Sequence, residues 1–216
     1  MIFKKYRTKQ CFSQQTTALS FKRIAMKSPS TLSILLALVS LSTLGHTNSS
    51  HDESAKVSSL AQSTAQYAVD TYQTDIVDSL RALIKYNTVA VDGVAVDKNP
   101  THIAFKKELH QQAQTLGLDF KDHGSLVIIG LGQQKERLGI ITHGDVQPVN
   151  PAKWKNSPFE LDLTSEPGKL LGRGTEDDKG PISTVLYAMK AIKDKKITLN
   201  KRIELYVYMA EESDWA

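Results

Sequence analysis

Cysteine is all but missing from this sequence of 216 residues: Cys11 is the only one. Since it sits within what reads below as a removable leader, the mature chain is expected to be free of cysteine. That excludes a disulfide frame, a thiolate nucleophile and a sulfur-ligated zinc. Long apolar runs are missing too. The longest, Leu32–Leu44, has 13 residues; as a helix it reaches about 20 Å, short of the roughly 30 Å hydrocarbon core of a bilayer. Carboxylates are missing from residues 1–27, which hold seven cations, so the rest of the chain carries 20 basic against 23 acidic groups. The formal charge of +4 and the pI near 9.0 therefore belong to the leader, and no nucleic-acid partner is expected.

A cationic start, a short apolar core and the break at Gly45-His46-Thr47-Asn48 read as a secretory signal over 1–45, with Met26 as the more compact start. Cleavage is expected between about Leu44 and Ser50, which would give a periplasmic or secreted protein in only transient contact with the membrane. An uncleaved signal would leave it membrane-anchored instead. Residues 46–60 are polar and Ser-rich, as in a linker.

What remains, 61–216, is enough for one domain with a sizeable core. Helical periodicity runs from about Ala61 to Tyr86, with Ile76, Leu80, Leu83 and Ile84 on one face. A second helix follows Pro100, turns Ile103, Phe105, Leu109, Ala113 and Leu116 inward and ends at Gly117. A third covers Gly180–Lys193. Ser125–Leu131, Leu138–Thr142 and Arg202–Met209 read as strands, so the class is α/β. His102, His110 and His123 read as surface residues.

Three polar clusters stand at the ends of apolar runs. In Thr142-His143-Gly144-Asp145, an imidazole at a strand end suits a metal, and a carboxylate two residues on points to the same side and can fix the ring's tautomer. A His paired with its own local Asp in a turn would look the same. In Gly172-Arg173-Gly174-Thr175-Glu176-Asp177-Asp178-Lys179-Gly180, adjacent carboxylates call for a cation, either a metal or Arg173 and Lys179 beside them. A solvated turn capping a helix is the plainer alternative. In Ala210-Glu211-Glu212, one glutamate can bind a metal while its neighbour acts as general base on the bound water; exposed pairs of this kind are also common. The joint signal is stronger, because His143, Asp177 and Glu211 follow one another at intervals of 34 residues.

His143-Gly144-Asp145-Val146 with Pro148, Trp154 and Pro158-Phe159, then Gly172-Arg173-Gly174 through Asp177-Asp178-Lys179-Gly180, then Glu211-Glu212, resembles metallopeptidase family 20. The likeness covers roughly 70–216 and is nearest the dipeptidase branch of a group that also holds carboxypeptidases and aminoacylases. It implies a zinc-exopeptidase-like sandwich, a mixed sheet between helices, with two Zn2+ ions for which cobalt or manganese can substitute. His143 and Glu212 would each ligate one zinc, and Asp177 would bridge them. Asp145 would orient His143, and Glu211 would be the catalytic base. Asp178 would follow Asp177 across a cis peptide, with Arg173 and Lys179 positioning this acidic turn. Trp154 and Phe159 would pack beneath the loop.

The resemblance also implies an acidic ligand, a histidine ligand and a lid domain downstream of Ala216. The expectation is therefore an N-terminal part of a catalytic domain, which alone binds zinc weakly, turns over little and leaves its Arg202–Met209 strand with an open edge. The whole protein is expected to hydrolyse dipeptides or short peptides. The alternatives are an amidohydrolase acting on N-acyl amino acids and a non-catalytic periplasmic peptide-binding protein. The sequence does not fix an oligomeric state.

Overall fold

The computed structural model describes residues 49–213. The signal over 1–45, with Met26, Leu32–Leu44 and Cys11, lies outside the described residues. Helix α1 spans Ser49–Ile84. The sequence places a polar linker over 46–60, but the backbone is helical from Ser49 onward. The reason is local: no Gly or Pro interrupts the run from Ser49 to Ile84, so nothing in it stops the helix. Among the described residues no helix is long and apolar enough to cross a membrane.

Helix α2 spans Pro100–Leu116, with Pro at its start and Gly117 at φ 64° closing it in the left-handed region. The Asn99 side chain caps it by accepting from Thr101 N–H at 3.0 Å and His102 N–H at 3.4 Å. Phe105, Leu109, Ala113 and Leu116 are buried as expected, but Ile103 is 47% exposed and His102 takes the inward place at 1%. Only the first turn differs, and there the inward place goes to a polar residue because two polar side chains find partners inside. His102 Nε2 donates to Thr88 O at 3.1 Å, and Lys106, one turn on, reaches Asp122 and the Gly124 carbonyl. His110 stacks on Phe120 and, like His123, is exposed.

The sheet holds β1 (Asp119–Asp122), β2 (Leu126–Leu131), β3 (Arg137–His143) and β4 (Arg202–Tyr208), in the order β1-β2-β4-β3. Only the β3–β4 pair is parallel, and helix α3 (Lys179–Asp194) lies on its crossover. The α/β class with a mixed sheet holds. Leu83 of α1, Phe105 and Leu109 of α2, and Ile182 and Leu186 of α3 meet Val127, Ile129, Leu205 and Val207 in one core. The described helices thus share one face of the sheet, whereas Ile141, on the Tyr206 face, is 81% exposed. The expected open edge at β4 is not found. Strand β4 is paired on both sides, by β2 and β3, and the edges of the sheet are β1 and β3.

Candidate metal centre

Parallel pairing sets His143 opposite Tyr208, so the C-terminal ends of β3 and β4 reach the same rim of the sheet. Gly144 N–H then donates to Tyr208 O at 2.8 Å. A Cβ on Gly144 would lie 2.5 Å from the Phe105 ring and 2.6 Å from the Met209 sulfur, so no side chain fits there. The close approach delivers Asp145, wholly buried, beneath the glutamates.

Asp145 is the hub of the site. Its Oδ2 accepts from Glu212 N–H at 2.9 Å and its Oδ1 from Glu211 N–H at 3.2 Å. His143 Nδ1 is 3.1 Å from the Asp145 carbonyl oxygen and 3.5 Å from Oδ1. One carboxylate therefore orients both the imidazole and the backbone of the glutamate pair, where the sequence anticipates only the first. His143 Nε2 lies 2.7 Å from Asp177 Oδ1 and 4.0 Å from Glu211 Oε2. Ligand atoms of His143, Glu211 and Glu212 all fall within 4.8 Å of one another. Asp177 touches His143 but stands outside that three-way group and is 71% exposed. Asp178 accepts from His143 N–H at 3.3 Å, and the Asp177–Asp178 peptide is cis, as expected.

The electrostatics follow from this crowding. Burial raises the Asp178 carboxyl pKa, and Asp177 and Glu211 raise it further against the opposing pull of His143. For His143, burial disfavours the charged ring, but Asp145 and Asp177 outweigh it and the pKa rises to about 9. The imidazolium thus stands in as the cation that the carboxylates require. The sign for stability is definite in the metal-free protein. The contribution is complete below the unfolded histidine value near 6.5 and is lost as pH rises through the folded value, on the order of 3 kcal/mol. Urea unfolding in chelator at pH 6 and pH 9.5 should show that loss, and His143→Gln should abolish it.

Lys179 and Arg173 do not serve the acidic turn in the expected way. Lys179, wholly buried, donates to Tyr86 O at 2.6 Å over the Phe105 ring. Burial lowers its pKa to about 7 against the pull of Asp145. Arg173 reaches the Pro148 carbonyl at 3.5 Å. Trp154 and Phe159 are half-buried. The sequence reading passes over Thr88, whose hydroxyl donates to Gly144 O at 2.6 Å and whose carbonyl accepts from Val146 N–H at 3.2 Å. It also passes over Gln147, whose carboxamide donates to Glu212. The motif's own spacing was the available signal for Gln147, which lies between Val146 and Pro148.

One imidazole with several carboxylate oxygens, on a buried and pre-oriented base, is a donor set that fits a zinc-like divalent cation. Fold and site together define an α/β unit with a candidate divalent-cation centre at the C-terminal rim of its parallel strand pair. Residues 139–215 match the family model of peptidase family M20/M25/M40. The chain is 32% identical over 151 residues to a candidate dipeptidase of Staphylococcus haemolyticus, covering 68% of this chain and 32% of that protein. A candidate dipeptidase of Staphylococcus aureus matches to the same extent, 32% over 151 residues. Human carnosine dipeptidase 1 superposes with a TM-score of 0.56 at 24% identity, over 73% of this chain and 36% of that one. An M20 family metallo-carboxypeptidase from Sulfolobus solfataricus does so at 0.52 and 28%, over 63% and 31%. Residues 139–215 thus carry part of a peptidase family M20/M25/M40 domain, and the likeness to relatives of that kind extends over about two thirds of the chain. It spans about a third of the length of the curated relatives it matches.

Proposed function

We propose that the whole protein hydrolyses dipeptides or short peptides with a water activated by two divalent ions, zinc by preference. The observation that carries this is the convergence of His143, Glu211 and Glu212 ligand atoms within 4.8 Å, beside Asp177 and above Asp145. The likeness to dipeptidases supports the substrate class. In this reading His143, Asp177 and Glu212 hold the metals, which when bound lower the water's pKa and polarise the scissile carbonyl. Glu211 accepts the proton that the water gives up and returns it to the leaving amine. Asp145 keeps the imidazole and both glutamates in register, so none of them has to reorganise during the reaction. Because metal binding needs a neutral imidazole, His143 must release the proton it shares with Asp177.

The test is metal dependence. Chelation should abolish hydrolysis of a dipeptide panel by the whole protein, and added Zn2+ should restore it. Full hydrolysis by chelated, metal-free protein would overturn the reading. Release of acyl groups from N-acyl amino acids, with no cleavage of dipeptides, would replace the substrate class.

A further inference from the structure

Gln147 leaves the β3 end two residues after Asp145, and its position is well braced. Before it, Val146 is tied to Thr88; after it, the Pro148 carbonyl accepts from Arg173 at 3.5 Å. From there its Nε2 donates to Glu212 Oε2 at 2.9 Å and to the Glu212 backbone carbonyl at 2.7 Å. Both acceptors belong to one residue, so a single carboxamide ties the carboxylate to its own main chain. The Glu212 N–H is already taken by Asp145 Oδ2 at 2.9 Å. Glu212 is thereby held at its N–H, its carbonyl and its side chain.

We propose that Gln147 is a positioning residue that fixes the Glu212 side chain where it meets a divalent cation beside His143. The inference rests on the metal reading above. The residue type matters for charge as well as reach. An amide donates without neutralising the carboxylate, so Glu212 keeps its full negative charge for the metal. A lysine here would compete with the cation, and a glutamate would repel Glu212. Held in advance, Glu212 loses less side-chain freedom when the cation arrives.

The probe is Zn2+ alone, titrated into the chelated whole protein in competition with a chromophoric chelator. Gln147→Met keeps length without a donor, and Gln147→Ala removes both. Each should weaken zinc binding about tenfold, the lower end for a residue that supports a metal ligand. Since Gln147 is exposed, the metal-free thermal midpoint should stay where it is. Unchanged zinc affinity in both variants, with the original protein binding zinc, overturns the role of Gln147 and leaves the metal reading intact. Weaker binding matched by a lower metal-free midpoint also overturns it, since the residue would then serve the fold. A protein that binds no zinc at all removes the metal reading, and this inference with it.

Discussion

Replacing Glu211 by Gln in the whole protein is expected to leave the metal content unchanged and to lower kcat by about 10²–10⁴-fold, the usual contribution of a general base. The amide preserves shape and the backbone bond to Asp145 but cannot take the water's proton. The prediction separates two roles that geometry alone allows, because Glu211 lies within the same 4.8 Å group as His143 and Glu212. Steady-state kinetics beside zinc analysis by atomic absorption provides the check. Loss of zinc in step with activity would make Glu211 a ligand, and the base would have to be sought elsewhere.

Asp145→Asn should have the widest effect on the site. The buried carboxylate accepts from two backbone N–H groups and faces the His143 ring. An amide offers only one acceptor oxygen, so its NH2 must confront one of those N–H donors. A buried amide left unpaired costs about 1–3 kcal/mol. Losing the charge also removes one of the two carboxylates that hold His143, and zinc affinity should fall about 10- to 100-fold. Urea unfolding and zinc titration on the same preparation should therefore both change. If only stability fell, Asp145 would be a structural residue with no part in presenting the ligands.

The site was more legible in the sequence than its frame. Each of the clusters at His143 with Asp145, at Asp177 and at Glu211-Glu212 is ordinary at a strand or helix end taken alone, and it is their order and the even spacing of His143, Asp177 and Glu211 that singles them out. What the sequence hid was how one carboxylate reaches two strands, because only the parallel β3–β4 pairing puts Asp145 under the glutamates. Gln147 was missed because an exposed amide looks like any surface residue until its acceptor is known. In α2, periodicity cannot choose between Ile103 and His102, one position apart. The choice falls to the Thr88 carbonyl, which lies in another segment. The strand β1, four mostly exposed residues, offers no apolar alternation to read. The sequence likewise pointed to β4 as the open edge because β4 comes last along the chain. Strand order depends on the crossover through α3, which sets β4 inside β3.

The central claim is that the His143, Asp177 and Glu212 side chains hold metal, and anomalous diffraction at the zinc edge tests it most directly. Crystals of the whole protein grown with Zn2+ should give two peaks about 3.5–4 Å apart. One should lie about 2 Å from the His143 imidazole, and both should be within bonding reach of Asp177 or Glu212 oxygens. In such crystals His143 Nε2 should have exchanged its 2.7 Å contact with Asp177 for the metal. Zinc found elsewhere, with His143 still bonded to Asp177 in a fully active protein, would contradict the claim.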